Sequence, residues 1–201
     1  MGKHEWRLIL VLTVICVVSG GVLGWVNTLT APAIRAQEEL AKQRALQEAL
    51  PGTTTFTEEP ALRKELEEAG LAGIVEVYRA YRDEEEMGFV FTVDQQGYGG
   101  PIRMVIGVTA SGNLSGLTVI SHTETPGLGA KITDARFLTQ PAFREAKTGE
   151  VLAVTKDKGE VDAITSATIS SRAVVRGVNT ALSAAQSLLD AEAMNGGVDV
   201  D

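Results

Sequence analysis

The sequence of 201 residues has few side chains that could bind a metal or form a disulfide. Cys16 is its one cysteine, which excludes an intramolecular disulfide and any multi-cysteine metal or iron–sulfur site. With only two histidines, His4 and His122, the chain also offers little for zinc or haem. We therefore expect no metal site, and any redox cofactor must be organic.

The sequence also lacks an excess of positive charge. Its 18 Lys and Arg residues are outnumbered by 26 Asp and Glu residues, for a net charge of −8. An acidic surface repels the phosphate backbone of nucleic acids, so we expect no nucleic-acid partner. Since 44% of the residues are hydrophobic, the chain can build a folded core.

One long run without charge stands near the N-terminus, from Leu8 to Val26. It is about as long as a helix must be to cross the hydrocarbon layer of a membrane. Lys3 and Arg7 precede it, and Trp6 and Trp25 lie at its two ends, where interfacial aromatic residues are common. The positive-inside rule predicts cytoplasmic residues 1–7, a transmembrane helix 8–26 in the cytoplasmic (inner) membrane, and an extracytoplasmic remainder.

A cleaved signal peptide is the alternative interpretation of this run. Residues Ala31, Pro32 and Ala33 form a small-x-small pattern that resembles a processing site. The length of the apolar run and its flanking tryptophans favour a retained anchor. Pro32 is expected to end the span, and the helical spacing of apolar residues predicts a separate stalk helix over 33–50.

The remaining sequence predicts an α+β domain over 51–190 and a flexible tail over 191–201. Helical patterns occur at Ala61–Ala69, Lys131–Thr139 and Ser170–Leu189. Strand patterns occur at Ile74–Ala80, Phe89–Val93, Ile102–Val108, Leu114–Ile120 and Val151–Thr155, with a hairpin turn at Thr109–Asn113. We expect an antiparallel sheet with flanking helices, attached to a single transmembrane helix.

The stretch DAITSATISS, Asp162 to Ser171, has five hydroxyl side chains at the expected start of the last long helix. Backbone N–H groups at a helix start have no partner within the helix, so they can bind a phosphate. A simpler interpretation is that these hydroxyls only cap the helix. A serine hydrolase would need a base, and the soluble part offers only His122 and no G-x-S-x-G motif.

The segment Asp162-Ala-Ile-Thr165-Ser166-Ala167-Thr168 resembles the flavinylation motif D-x-x-[ST]-G-A-T. This motif belongs to FMN-binding domains of the Rnf and Na⁺-translocating NADH:quinone reductase complexes. The resemblance implies that an extracytoplasmic flavin transferase esterifies the FMN phosphate to Thr168, giving a covalent flavin. Ser166 stands where the family usually has glycine, which restricts the backbone dihedrals there.

Two further segments resemble the same family. Gly97–Ile102, which includes Tyr98, resembles the entry to its central strand, and Ser121–Ile132 resembles its H-x-E-T-P-G-L-G loop. The resemblance implies that this loop binds the flavin ring. The loop residues concerned are His122, Glu124, Thr125, Gly127, Leu128, Gly129 and Lys131.

The roles of several of these residues stay open at this level. His122 could tune the flavin or cap the strand, and Glu124 could brace the loop or take part in the transferase reaction. Lys131 could neutralise the phosphate or the reduced flavin, or be merely solvated, and Tyr98 could close the pocket or only enter the strand. Asp162 could help the transferase or cap the turn.

The length of the chain and the long match over the loop Ser121–Ile132 indicate a closer resemblance to the G subunit of the Rnf complex than to the longer C subunit of the quinone reductase. This resemblance implies an electron-carrier subunit with FMN as cofactor, other Rnf subunits as partners and no catalytic residues of its own. A membrane-anchored flavin sensor or scaffold is the main alternative from another class.

Overall fold

The structure, a computed structural model, describes residues 3–195. It contains two units, one that ends at Lys42 and one that begins at Gln43. The second unit carries the sheet and the remaining helices.

The first helix, α1, is continuous over Lys3–Ala49. The prediction that Pro32 separates a span from a stalk helix is therefore wrong, because the helix continues through this proline. A proline removes one N–H donor and one helical hydrogen bond, which weakens or bends a helix without always ending it. Pro51 and Gly52 follow one residue after the helix end, and Gly52 has a positive φ of 83°.

By length and hydropathy α1 can cross a membrane. Its most apolar 18-residue window has a mean hydropathy of 2.5, and none of that window is buried within the chain. This window has the length and composition of a membrane span, and a signal sequence near an N-terminus passes the same test.

The sheet has five antiparallel strands, each paired with its neighbours in the sequence. The strands are β1 (Thr55–Glu58), β2 (Ile74–Arg82), β3 (Glu85–Gln96), β4 (Pro101–Thr109) and β5 (Leu114–Ser121). Four of the five predicted strands, which correspond to β2–β5, and the turn between β4 and β5 are confirmed. β1 was not predicted, because only Phe56 of its four residues is even partly buried.

Helices cover both faces of this sheet. On one face lies α5 (Thr168–Asn195), whose Val174, Val178 and Leu182 belong to a large buried cluster with Phe91 and Met104. These residues fall within the helical pattern that the sequence predicts over Ser170–Leu189. Burial of such side chains contributes about 1.5–3 kcal/mol each relative to exposure.

The end of α1 covers the other face within the second unit. Ala45, Leu46, Ala49 and Leu50 are buried together with side chains of the sheet. Beneath them Gly107 of β4 pairs with Gly116 of β5. A Cβ on Gly116 would lie 2.6 Å from the carbonyl oxygen of Glu48, so the two glycines permit this close approach.

The remaining elements depart partly from prediction. The expected helix at Ala61–Ala69 is α2 (Pro60–Glu68). The region 131–139 forms a 3₁₀ helix, Gly129–Thr133, followed by α3 (Ala135–Leu138), and α4 (Pro141–Arg144) comes next.

The predicted strand Val151–Thr155 is wrong, since only Val154 pairs, in an isolated parallel bridge with Val161. The hydroxyl-rich stretch therefore follows an irregular segment instead of a strand. The predicted start of the flexible tail at residue 191 is wrong, because α5 continues to Asn195. The rest of that tail lies outside the described residues.

Candidate functional site

Glu124 joins three segments that lie far apart in the sequence. Its side chain is buried, and Oε1 accepts hydrogen bonds from the backbone N–H groups of Tyr98 (2.8 Å) and Gly99 (3.1 Å). Oε2 accepts a hydrogen bond of 2.7 Å from the hydroxyl of Ser170. The carboxylate thus links the β3–β4 loop, the loop after β5 and the first turn of α5, which favours the bracing interpretation of Glu124.

Glycines make room for this carboxylate. A Cβ on Gly97 would collide with Oε1 of Glu124, and a Cβ on Gly129 would collide with Oε2. Gly97 and Gly129 therefore let the carboxylate of Glu124 lie close to the backbone of two segments, the β3–β4 loop and the loop after β5.

The loop after β5 is held by further bonds. The Glu124 N–H donates to Nδ1 of His122 at 3.3 Å, and the Thr123 hydroxyl donates to the Gly99 carbonyl oxygen at 3.1 Å. Gly127 has a positive φ of 76°, which a glycine adopts without strain. Leu128 beyond it is 45% exposed, so its apolar side chain is available at the surface.

The hydroxyls at the entrance of α5 have distinct partners. Ser171 Oγ accepts from the Ile164 N–H and donates to the Ala167 carbonyl oxygen, both at 3.0 Å. Ser170 and Ser171 are buried, and their hydroxyls form hydrogen bonds within the protein. These two members of the hydroxyl cluster therefore have a structural role. Thr165 and Ser166 are exposed, and Thr168 is half-buried.

Ser166 adopts the left-handed conformation, with φ of 64°. Most residues other than glycine, asparagine and aspartate are strained in this region, at a cost of about 1–3 kcal/mol. The departure from the family's usual glycine therefore falls at the position where glycine is best suited.

Thr168 is the first residue of α5 and its hydroxyl has a cationic neighbour. Lys156 Nζ donates to Thr168 Oγ1 at 2.8 Å. Lys156 belongs to a 3₁₀ helix, Thr155–Asp157, that sequence reasoning missed, because nothing in the local pattern around residue 156 signals contact with Thr168.

A bidentate ion pair lies beside this contact. Arg172 donates from Nε and Nη2 to the two carboxylate oxygens of Asp157, at 2.7 and 2.6 Å. These hydrogen bonds lower the pKa of Asp157 and raise the pKa of Arg172. The pair connects the 3₁₀ helix to the first turn of α5.

The three segments surround a cavity of about 420 Å³. Its walls combine polar groups with the partly exposed apolar side chains of Leu128 and Ile169. The lining residues are Tyr98, Glu124, Thr125, Leu128, Gly129, Ser166, Ala167, Thr168, Ile169 and Ser170. This volume and mixed lining are typical of a cofactor pocket.

Eight of the thirteen residues that the sequence singles out line this cavity, and five do not. Those outside the lining are His122, Gly127, Lys131, Asp162 and Thr165. Asp162 is held through its backbone, since its N–H donates to Oε1 of Gln140 at 2.7 Å and its carbonyl accepts from Nε2. Their roles stay predictions. Ile169 and Ser170 also line the cavity. The sequence suggested a capping role for Ser170 and no role for Ile169.

Residues 3–195 contain no group of three or more His, Cys, Asp and Glu side chains that could hold a metal ion. The chemistry of the cavity walls is that of hydroxyls, backbone amides, one carboxylate and apolar side chains.

Comparison with known proteins gives two family matches. The FMN-binding domain family matches residues 97–183, and the RnfG N-terminal region matches residues 1–49. The first match contains the whole cavity lining, and the second corresponds to α1.

Curated relatives match over most of their length. The G subunit of the Na⁺-translocating ferredoxin:NAD⁺ oxidoreductase complex of Acetobacterium woodii is 34% identical over 92% of this chain and 94% of the relative. The G subunit of the ion-translocating oxidoreductase complex of Methanosarcina acetivorans is 30% identical over 90% and 94%.

The fold is also found in a solved structure. The crystal structure of the C subunit of Na⁺-translocating NADH-quinone reductase from Parabacteroides distasonis aligns with a TM-score of 0.58 and 20% identity. The alignment covers 79% of this chain and 96% of that chain. At this identity the likeness establishes the shared fold.

Proposed function

Because this chain belongs to the RnfG family of ion-translocating oxidoreductase (Rnf) complexes, we propose that it is an electron-carrier flavoprotein with FMN esterified to Thr168. The observation that carries this proposal is the position of Thr168. Its side chain lines the cavity at the start of α5, where helix N–H groups lack partners, and Lys156 donates to its hydroxyl.

The residues around the cavity fit FMN. Leu128 and Ile169 provide apolar contact for a planar ring. The absence of a side chain at Gly129 lets its backbone lie close to the Glu124 carboxylate, since a Cβ there would collide with it. Thr125 and Tyr98 would complete the ring site, and Ser166 and Ala167 the phosphate end. When bound, the flavin would supply reversible electron uptake and release, while the protein orients it and limits its contact with water.

Attachment through the phosphate suits an electron carrier. In the proposed maturation, a flavin transferase forms the bond between Thr168 Oγ1 and the FMN phosphorus of FAD and breaks the phosphoanhydride bond. AMP leaves with the bridging oxygen, and the hydroxyl proton passes to the leaving phosphate or to solvent. No electrons are exchanged. A tether of this kind keeps the cofactor at an effective concentration of about millimolar or more beside its site.

The membrane arrangement is part of the proposal. We infer that α1 anchors the chain in the cytoplasmic membrane with residues 1–7 inside, and that the second unit lies outside with access to the transferase. Other Rnf subunits are the proposed partners in electron transfer, as the names of the relatives indicate for those proteins.

Intact-mass measurement tests the attachment. The full chain, coexpressed with a flavin transferase, is expected to carry one added FMN moiety that Thr168→Val abolishes. Thr57→Val is the matched control, since this exposed threonine lies on β1, outside both the motif and the cavity lining. An unmodified wild type, or a modified Thr168→Val, would disprove the assignment.

The topology has its own test. Cys16→Ser removes the one cysteine, and a new cysteine at exposed Ser111 then reports the side of the membrane on which the domain lies. A membrane-impermeant maleimide is expected to label Ser111→Cys in intact spheroplasts and to leave a Gly2→Cys control unlabelled. The opposite pattern would reverse the orientation.

A further inference from the structure

Lys156 supplies the positive charge next to the proposed attachment site. Its ammonium donates to Thr168 Oγ1 at 2.8 Å, although twelve positions separate the two residues. The contact exists because the 3₁₀ helix Thr155–Asp157 folds against the first turn of α5.

This position is held by a second link between the same two elements. Asp157, the next residue, accepts two hydrogen bonds from Arg172, which lies one helical turn after Thr168. A bidentate carboxylate–guanidinium pair restricts both partners in distance and orientation. Asp157 and Arg172 are therefore positioning residues that keep the Lys156 backbone beside Thr168.

The cavity itself has no cation to balance a phosphate. Among the described residues that line it, none is Lys or Arg, and the one charged side chain is the carboxylate of Glu124. A phosphodiester carries one negative charge. Lys131, in the loop after β5, and Lys156 are both exposed and both lie outside the lining, but Lys156 Nζ donates directly to the acceptor oxygen.

We propose that Lys156 binds the phosphoryl group on Thr168, and this inference rests on the proposed function. Before attachment the ammonium orients the hydroxyl; after attachment it donates to a non-bridging oxygen on the same phosphorus. A protonated amine has no lone pair to accept the hydroxyl proton, so Lys156 is not the base of the transfer. Its contribution is charge neutralisation and orientation of the tethered cofactor.

Three variants of the full chain in mild detergent test the inference. Lys156→Met removes the charge and keeps much of the side-chain length, while Lys156→Arg keeps the charge. Lys64→Met is the matched control, because it removes one exposed lysine charge on α2, outside the motif and outside the cavity lining. Each protein is incubated with a flavin transferase and FAD, and FMN incorporation is followed by intact mass.

We expect Lys156→Met to load about three- to tenfold more slowly than wild type, a range set by one charge-assisted bond at an exposed, solvent-screened site. Lys156→Arg and Lys64→Met should stay within about twofold. The defect of Lys156→Met should shrink as salt is raised, because salt screens exposed charges. In the loaded proteins the ³¹P resonance of the phosphodiester should shift in Lys156→Met and stay unchanged in Lys64→Met.

Two results would overturn the role of Lys156 while leaving FMN attachment intact. One is equal loading and equal ³¹P shifts for Lys156→Met and Lys64→Met. The other is a Lys156→Arg variant that loads as slowly as Lys156→Met, which would show that charge is not responsible. A wild-type chain that never gains FMN would overturn the proposed function as well.

Discussion

The Oε2 atom of Glu124 accepts a 2.7 Å hydrogen bond from the hydroxyl of Ser170, and both side chains are buried. Ser170 lies two residues after Thr168 on α5, and Glu124 lies in the loop after β5 that also lines the cavity. This contact therefore couples the position of the proposed attachment residue to the proposed ring site.

Removal of the Glu124 carboxylate should destabilise the domain. Glu124→Gln keeps groups that can bond to Tyr98, Gly99 and Ser170, so we expect a loss of about 1 kcal/mol in the free energy of unfolding. Glu124→Ala leaves these partners without their acceptor and should cost about 3 kcal/mol. Urea unfolding measures both. Glu68→Ala, at an exposed carboxylate on α2, should stay within about 0.5 kcal/mol. Equal stability of Glu124→Ala and Glu68→Ala would refute the bracing role.

Gly116→Ala should weaken the contact between α1 and the sheet. The new Cβ would lie 2.6 Å from the Glu48 carbonyl oxygen and 2.8 Å from that of Ala49, and neither backbone group can rotate away. Overpacking of this kind costs about 1–3 kcal/mol in thermal or urea unfolding. Gly177→Ala is the control, since its new methyl group meets the flexible end of Met104 and alanine favours a helix. A loss in Gly177→Ala as large as that in Gly116→Ala would contradict the backbone explanation.

Ser166→Gly should raise the free energy of unfolding by about 0.5–1 kcal/mol, because glycine adopts the positive φ of 64° without strain. Ser166→Ala keeps a Cβ at this position and should give no increase. Thermal unfolding of the unloaded chain compares the three proteins. Equal or lower stability of Ser166→Gly would show that the serine side chain compensates for its backbone strain.

The pair between Asp157 and Arg172 should respond to acid. The hydrogen bonds from Arg172 lower the pKa of Asp157 below its ordinary value of 3.8, so the pair stabilises the fold above about pH 4. Protonation of Asp157 in the folded state removes this contribution as the pH falls below 3.8 towards the lowered pKa.

Carboxyl NMR titration checks this direction. The Asp157 midpoint should lie below 3.8 in the wild type and return towards 3.8 in Arg172→Gln. An Asp157 midpoint that does not move in Arg172→Gln would show that the pair does not persist in solution.

Local pattern was sufficient for most of the elements. Alternating apolar residues identified four of the five strands, and the stripe at Val174, Val178 and Leu182 identified α5. The alternation of apolar and polar residues is absent where few side chains of a strand are buried, as in β1. Where a proline meets a strongly apolar helix, as at Pro32, one lost hydrogen bond does not outweigh the helical order around it. Around Val154 an apolar sequence formed an isolated bridge, because its one partner is Val161.

The sequence by itself determined what depends on neighbours along the chain. These features are a helix of membrane-spanning length, the strands of the sheet, and a motif whose hydroxyls stand at the start of a helix. Only the tertiary structure decided which distant groups meet there: Glu124 with Ser170, and Lys156 with Thr168. The physical reason is that each contact depends on how loops fold against α5, and no periodicity within a loop encodes the distance to a residue on another element.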